Sequence, residues 1–158
     1  MSFVFDADII SVFAKIGRLA LLPVVFGNNL FMPEAVYHDL LRAQRAGYDY
    51  VSETLRIIKV TKADKSYASS LIKSKKLGAG EIECIALCKE RTMTFVSNDE
   101  KAKLAAQTLG IDIIDLAAIL WCLKDEHVVQ KDELRKIIND IEVKDNTVLI
   151  GKEELLGD

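Results

Sequence analysis

The chain has 158 residues, half of them apolar, with a formal charge of −3 and only two prolines. A chain of this length buries roughly two-thirds of the surface it exposes when unfolded, so it needs no metal or disulfide to hold one domain together. Its longest apolar runs, "LALLPVVF" and "LAAILWCL", have eight residues each, far short of the roughly 20 that cross a bilayer.

The first apolar run, Phe3-Val4-Phe5, reads as a buried strand that passes directly into Asp6. "DIISVFAKIG" follows with apolar residues at 9, 10, 12, 13 and 16, an amphipathic helix ended by Gly17. "RLALLPVVFG" predicts a short helix closed by Gly27, and "LFM" a short strand. "PEAVYHDLLRAQRAG" predicts a helix with Pro33 in its first turn and Gly47 at its end. "TLRIIKV" is assigned to a strand at a sheet edge and "KADKSYASSLIKSKK" to a helix. Gly78-Ala79-Gly80 is expected to break that helix before "EIECIALCKER", whose apolar positions mark a mostly buried helix. "MTFV" and "IDII" read as strands on either side of the helix "SNDEKAKLAAQTLG", and "LAAILWCLK" and "KDELRKIINDI" as two helices beyond them. Strands alternating with helices predict an α/β protein with a parallel sheet covered on both faces. In such sheets ligands bind beyond the carboxyl ends of the strands, where strand order reverses.

Acidic residues fall at that edge. Asp6 ends the first strand, Asp99 lies just past "MTFV", Glu81 opens a helix after "GAG", and Asp39 sits beside the buried face of its helix. Each has an ordinary structural role available: Asp6 and Asp99 as helix caps, Asp8 and Glu81 as first-turn acids that suit the helix dipole, Asp39 as a solvated acid. Brought together, they would form an oxygen-donor cup of the kind that hard divalent cations take. A net charge of −3 ordinarily counts against a nucleic-acid partner, but setting four such ligands aside leaves a weakly basic remainder.

The stretches "FVFDADIISVFAKIG", "MPEAVYHDLLRA", "LGAGEIECIALCKE" and "TFVSNDEKAKLAAQTLGI" resemble the PIN-domain family of metal-dependent ribonucleases. The resemblance implies a three-layer α/β/α sandwich around a parallel sheet of four to five strands, and Mg²⁺ or Mn²⁺ as cofactor. It places the catalytic and metal-binding acids at Asp6, Asp39, Glu81 and Asp99, with Ser97 at the family's hydroxyl position. The 18-residue step from Glu81 to Asp99 matches the family's helix-to-strand spacing. Asp8 stands where the family usually carries Asn or Ser, Glu81 replaces the commoner Asp, and Glu83 competes for the third role. The resemblance spans the chain as one domain, 1–158, with 115–158 a mainly helical carboxyl-terminal extension packed on it. It further implies an RNA substrate and a dimeric toxin of the virulence-associated protein C type, restrained by a small antitoxin.

Arg42 and Arg45, Lys101 and Lys103, and Lys73, Lys75 and Lys76 flank three of the proposed ligands and offer a track for phosphates; solvated helix faces would look the same. Cys84, Cys88 and Cys122 fit a reducing cytoplasm, and the first two read as core residues instead of soft-metal ligands. His38 and His127 read as surface residues, and Trp121 as an interface anchor. A second enzymatic likeness joins "FVFDADII" to the haloacid-dehalogenase-type phosphotransferases, with Asp6 as nucleophile, Asp8 as general acid, and Lys101 and Asp112 continuing the pattern. That likeness leaves Asp39 and Glu81 dispensable. A third reading is a non-catalytic module of the PIN fold that binds RNA or protein.

Overall fold

The computed structural model describes residues 1–71 and 76–157. In chain order the elements are β1 (Phe3–Phe5), α1 (Ala7–Lys15), α2 (Leu21–Phe26), β2 (Leu30–Pro33), α3 (Glu34–Arg45), α4 (Val51–Ile57), β3 (Lys59–Thr61) and α5 (Lys65–Leu71). There follow α6 (Ala79–Arg91), β4 (Thr94–Val96), α7 (Glu100–Thr108), β5 (Ile113–Ile114), α8 (Leu116–Asp125), α9 (Lys131–Asp140), a π-helical turn (Ile141–Asp145) and α10 (Lys152–Leu155).

The five strands form one parallel sheet in the order β3-β2-β1-β4-β5. The chain builds outward from β1 to β3, then returns to β1's other side with β4 and continues outward to β5. The reversal falls between β1 and β4, whose register pairs Phe5 with Val96. The residues immediately beyond that pair therefore sit in the crevice where parallel sheets hold their ligands.

Both strands at the reversal are buried throughout, as a sheet covered on two faces requires. Phe3 and Phe5 point to one face, where both rings meet Phe26 of α2, with centroids 4.8 and 5.2 Å away. α6 packs against β1, β2 and β4, and its buried run from Glu83 to Cys88 explains why its apolar pattern lacks a clean stripe. Cys84 and Cys88 lie in this core, and the Cys84 thiol points at the Phe5 carbonyl, 3.7 Å away.

Two boundaries differ from the sequence reading. "TLRIIKV" is divided: its first half completes α4, with Thr54 buried, and only Lys59–Thr61 pairs, on the edge beside β2. β-branched and apolar residues there suit a strand, but Thr54 Oγ1 donates to the Tyr50 carbonyl at 2.8 Å and steadies a helical turn. Gly80 does not break the helix. α6 begins at Ala79 with Gly78 as its N-cap, so Gly80 lies in the first turn. The tail of the helix expected across 62–76 falls outside the described residues.

The carboxyl-terminal helices share the same hydrophobic cluster as the sheet, through Leu134, Ile137, Ile138, Ile141 and Leu155. Lys15 at the end of α1 pairs with Asp145 at 2.9 Å, and Arg18 pairs with Glu133 at 2.5 Å. If the residues from 115 onward fold with the rest, Ile137→Ala will lower stability by about 2–5 kcal/mol, the usual cost of a buried Ile truncation. In urea titrations followed by circular dichroism, one shifted cooperative transition is expected. An early transition confined to part of the helix signal would show that this region folds separately.

Candidate active site

Asp6 directly follows β1 and caps α1: its Oδ1 accepts from the Ala7 N–H at 2.9 Å. Its other oxygen, Oδ2, accepts from the Ser97 hydroxyl at 3.0 Å. The Ser97 Oγ in turn accepts from the Asp99 N–H at 3.1 Å. Ser97 is fully buried and Asp6 only 5 % exposed, so one hydroxyl joins the ends of β1 and β4 inside the protein. Asp99 then caps α7, its Oδ1 accepting from the Ala102 N–H at 2.9 Å. Capping and site membership are thus compatible for both residues, because a carboxylate has two oxygens.

Glu81 occupies the third position of α6, and its Oε2 accepts from the Gly78 N–H at 2.8 Å, as in half of a capping box. Asp39 projects from the middle of α3 and is ion-paired with Arg42, one turn on. Together Asp6, Asp8, Asp39, Glu81 and Asp99, with Arg42 and the backbone of 78–80, line one open cavity of about 290 Å³. Five acids from three helix starts and one helix middle share it.

The cavity's electrostatics follow from burial among like charges. Asp6 is pushed up to about 7, first by burial and then by Asp8, with the Ser97 and Ala7 hydrogen bonds opposing. Asp8 is pushed up to about 6, chiefly by burial, against hydrogen bonds from the Asn98 and Ile9 N–H groups. Asp39 and Glu81 are raised as well, burial leading in both, while Arg42 opposes the shift at Asp39 and the Gly78 N–H opposes it at Glu81. Ions of this sign crowded together hold protons more tightly unless a cation arrives.

Several residues stand in places the sequence did not reveal. Asn98 is a joint: its N–H donates to Asp8 Oδ2 at 3.0 Å, and its Oδ1 accepts from the Leu116 N–H at 3.3 Å. It therefore fastens α1, the β4–α7 turn and the start of α8 to one another. A Cβ added at Gly80 would lie 2.9 Å from Asp39 Oδ2 and 3.3 Å from Val36 Cγ2, so the absent side chain makes room for Asp39. The signal for Asn98 was weak, since Ser97, Asn98 and Asp99 are all capping types. The signal for Gly80 is present in the sequence, but a glycine at that point also fits a helix break.

Other expected site residues are engaged elsewhere. Glu83 is buried and its Oε1 faces the Ala35 N–H at 3.3 Å, so it caps α3 from α6 and does not line the cavity. Lys103 is 8 % exposed and held by Glu100 at 2.8 Å and Asp115 at 3.2 Å, a structural position instead of a phosphate contact. Arg42 lines the cavity, with its charge directed at Asp39. Arg45 and Lys101 are exposed, as are His38 and His127, whereas Lys73 and Lys75 lie outside the described residues. Among the described residues no three His, Cys, Asp or Glu side chains are drawn up into a closed metal-ligand set. Asp39 is turned to Arg42 and Glu81 to its own helix end, which accounts for that openness.

With this geometry in place, comparison with known proteins gives the family. The profile of DUF3368, described as a PIN domain, matches residues 2–151. The chain belongs to the PIN-domain family, whose members are typically nucleases that use divalent metal ions. Among solved structures it is similar to a PilT N-terminus domain protein from the hyperthermophilic archaeon Sulfolobus solfataricus P2. The two share 19 % identity and a TM-score of 0.51, over 82 % of this chain and 97 % of that one. At that identity the likeness speaks for the fold alone. No curated protein sequence matches the chain. The PIN-domain match over residues 2–151 tells against the haloacid-dehalogenase likeness.

The raised Asp6 carboxyl makes a stability prediction for the metal-free protein. A folded-state value of about 7 against an ordinary 3.8 means that the protonated form fits the fold better. That contribution is whole below the ordinary value and is lost as pH rises through 7. In EDTA, the Tm should fall between pH 5 and pH 8, and Asp6→Asn should remove part of the fall. An identical pH dependence in wild type and Asp6→Asn would show that Asp6 ionises normally.

Proposed function

We propose that this protein is a Mg²⁺- or Mn²⁺-dependent endoribonuclease in which Asp6, Asp39, Glu81 and Asp99 hold the metal. One observation supports the reading above others: four elements deliver these four carboxylates to a single open cavity at the sheet's switch point. The donor set is all oxygen and anionic, the type a hard divalent cation prefers. When bound, such an ion activates water as a nucleophile and neutralises charge on a phosphodiester.

The chain's own residues divide the remaining work. Asp6 is held in one orientation by Ser97 and Ala7, and Asp99 is set beside it by the same hydroxyl. Asp39 and Glu81 are the adjustable members: side-chain rotation frees one from Arg42 and the other from the Gly78 N–H. Asp8, anchored by Asn98, lends negative charge to the cavity floor without being needed as a ligand. Arg42, once released by Asp39, is placed to meet a phosphate at the cavity's edge.

Cleavage of a mixed single-stranded and structured RNA pool tests this. Cutting is expected with Mn²⁺, absent in EDTA, and reduced at least about a hundredfold in Asp6→Asn and Asp99→Asn, as expected when a ligand of a catalytic ion is lost. Gly80→Ala should keep the fold, since Ala suits a helix, yet cut more weakly because Asp39 is displaced. Phosphatase activity lost in Asp6→Asn but kept in Glu81→Gln would overturn the reading. RNA binding without cutting would indicate a non-catalytic module.

We propose further that the protein acts inside the cytoplasm as a dimeric toxin held by a small antitoxin. No helix among the described residues is long and apolar enough to cross a membrane. Trp121 of α8, 38 % exposed with Lys124 over its ring at 4.9 Å, and Val24 of α2, 62 % exposed, give two packed helices an apolar outer surface suited to self-association. Induced expression of the wild type is expected to arrest bacterial growth, while Asp6→Asn does not. Sedimentation should give a dimer that Trp121→Ala weakens. Unimpeded growth with active protein present would remove the toxin role, and a monomeric wild type would remove the dimer.

A further inference from the structure

A second cavity adjoins the acidic one. It has a volume of about 350 Å³ and is bounded by Lys76, Leu77, Lys101, Leu104, Ala105 and Thr108. The four residues from α7 recur at i, i+3, i+4 and i+7, a single face of that helix. This is not the core face, which carries Ala102, Lys103 and Ala106. Leu104 is 65 % exposed there, an apolar side chain with no part in holding α7 to the sheet.

On both walls the chain runs from one cavity to the other. Residues 76 and 77 line this one, and Gly78 to Glu81, the next in the chain, line the acidic one. The same holds across the gap, where Asp99 lines the acidic cavity and Lys101 the apolar one. A ligand leaving the carboxylates thus meets an ammonium first and an aliphatic shelf next.

We propose that this cavity receives an unpaired nucleotide of the RNA strand next to the phosphate held at the acids, with its phosphate on Lys101 and its base face on Leu77 and Leu104. The inference rests on the ribonuclease reading and adds a subsite to it. Charge selects the occupant: the rim is cationic while the shelf is apolar, and an RNA strand offers an anion and an uncharged planar face in alternation. A base within a duplex has both faces stacked and cannot lie on the shelf, so the subsite favours single-stranded RNA. The cavity's size is at the low end of the range for small-ligand sites, adequate for one nucleotide unit and little more.

The test is fluorescence anisotropy of a labelled single-stranded oligoribonucleotide with the full-length protein, with Ca²⁺ replacing Mn²⁺ to suppress turnover. Leu104→Ser and Lys101→Gln should each weaken binding about tenfold, in the range of one lost base or phosphate contact. Val148→Ser, which removes a still more exposed apolar group from the carboxyl-terminal segment, serves as the surface control and should leave affinity in place. An abasic site next to the scissile phosphate should weaken wild-type binding and erase the difference between wild type and Leu104→Ser. In Mn²⁺ cleavage assays the Leu104→Ser loss should fall on KM more than on kcat.

Unchanged affinity in Leu104→Ser, alongside normal cutting, overturns the subsite and leaves the ribonuclease reading intact. Equal binding of duplex and single strand also overturns it. Leu104-dependent binding of single strands without any metal-dependent cutting upholds the nucleotide cavity and overturns the nuclease instead. A wild type that neither binds nor cuts RNA overturns both.

Discussion

One buried hydroxyl organises the acidic edge of this protein. Ser97 donates to Asp6 and accepts from the backbone of Asp99, so it bridges the two strand ends where the sheet changes direction. A carboxylate so deeply buried is costly to keep ionised, and its hydrogen bonds lessen that cost. Remove the hydroxyl, and Asp6 would keep only the Ala7 contact while the Asp99 N–H lost its acceptor. The separation of β1 and β4 is fixed by their backbone ladder, but the aim of the two carboxylates depends on this contact.

Around that fixed pair the remaining acids are held more loosely and by their own helices. Asp39 rests on Arg42 and Glu81 on the Gly78 N–H, both contacts local to the element that carries the acid. α3 and α6, however, are bound to each other by Glu83 reaching the first turn of α3 and by the close approach of Gly80 to Val36 and Asp39. The cavity therefore combines a rigid half on the strand ends with a half whose helices are fixed and whose side chains turn. A site that must admit a cation and a polyanion together gains from this division, since the adjustable acids can follow the charge that enters.

Much of the fold was legible because the strands carry their own signal. Short, largely apolar runs at Phe3–Phe5 and Thr94–Val96, each followed at once by a polar residue, have few other readings. The order of acids was legible for the same reason: an Asp that ends a parallel strand is placed by the sheet itself. What escaped depended on contacts between distant segments. Nothing local distinguishes Lys103 from Lys101, although one is buried between Glu100 and Asp115 and the other is exposed. Helical spacing separates Glu81 from Glu83, but only the position of α3 shows that Glu83 serves as its cap. Gly80 resembles a breaker, as any glycine near a helix start does, until Val36 and Asp39 across the crossing are known. The division of "TLRIIKV" escaped because its β-branched composition suits a strand, while burial of Thr54 and its bond to the Tyr50 carbonyl hold a helix first.

The pairing of Lys15 with Asp145 has a temporal side. α1 begins at Asp6 in the site and ends at Lys15, whose partner stands 130 residues further along the chain. Contacts of such sequence separation form late, because a long loop must close before they repay its entropy. The helix that Asp6 caps therefore gains its far anchor only after the long loop between the two partners has closed. The contact between Asp6 and Ser97 spans 91 residues, a shorter loop, so the strand ends of the cavity can set before the far end of α1 is pinned.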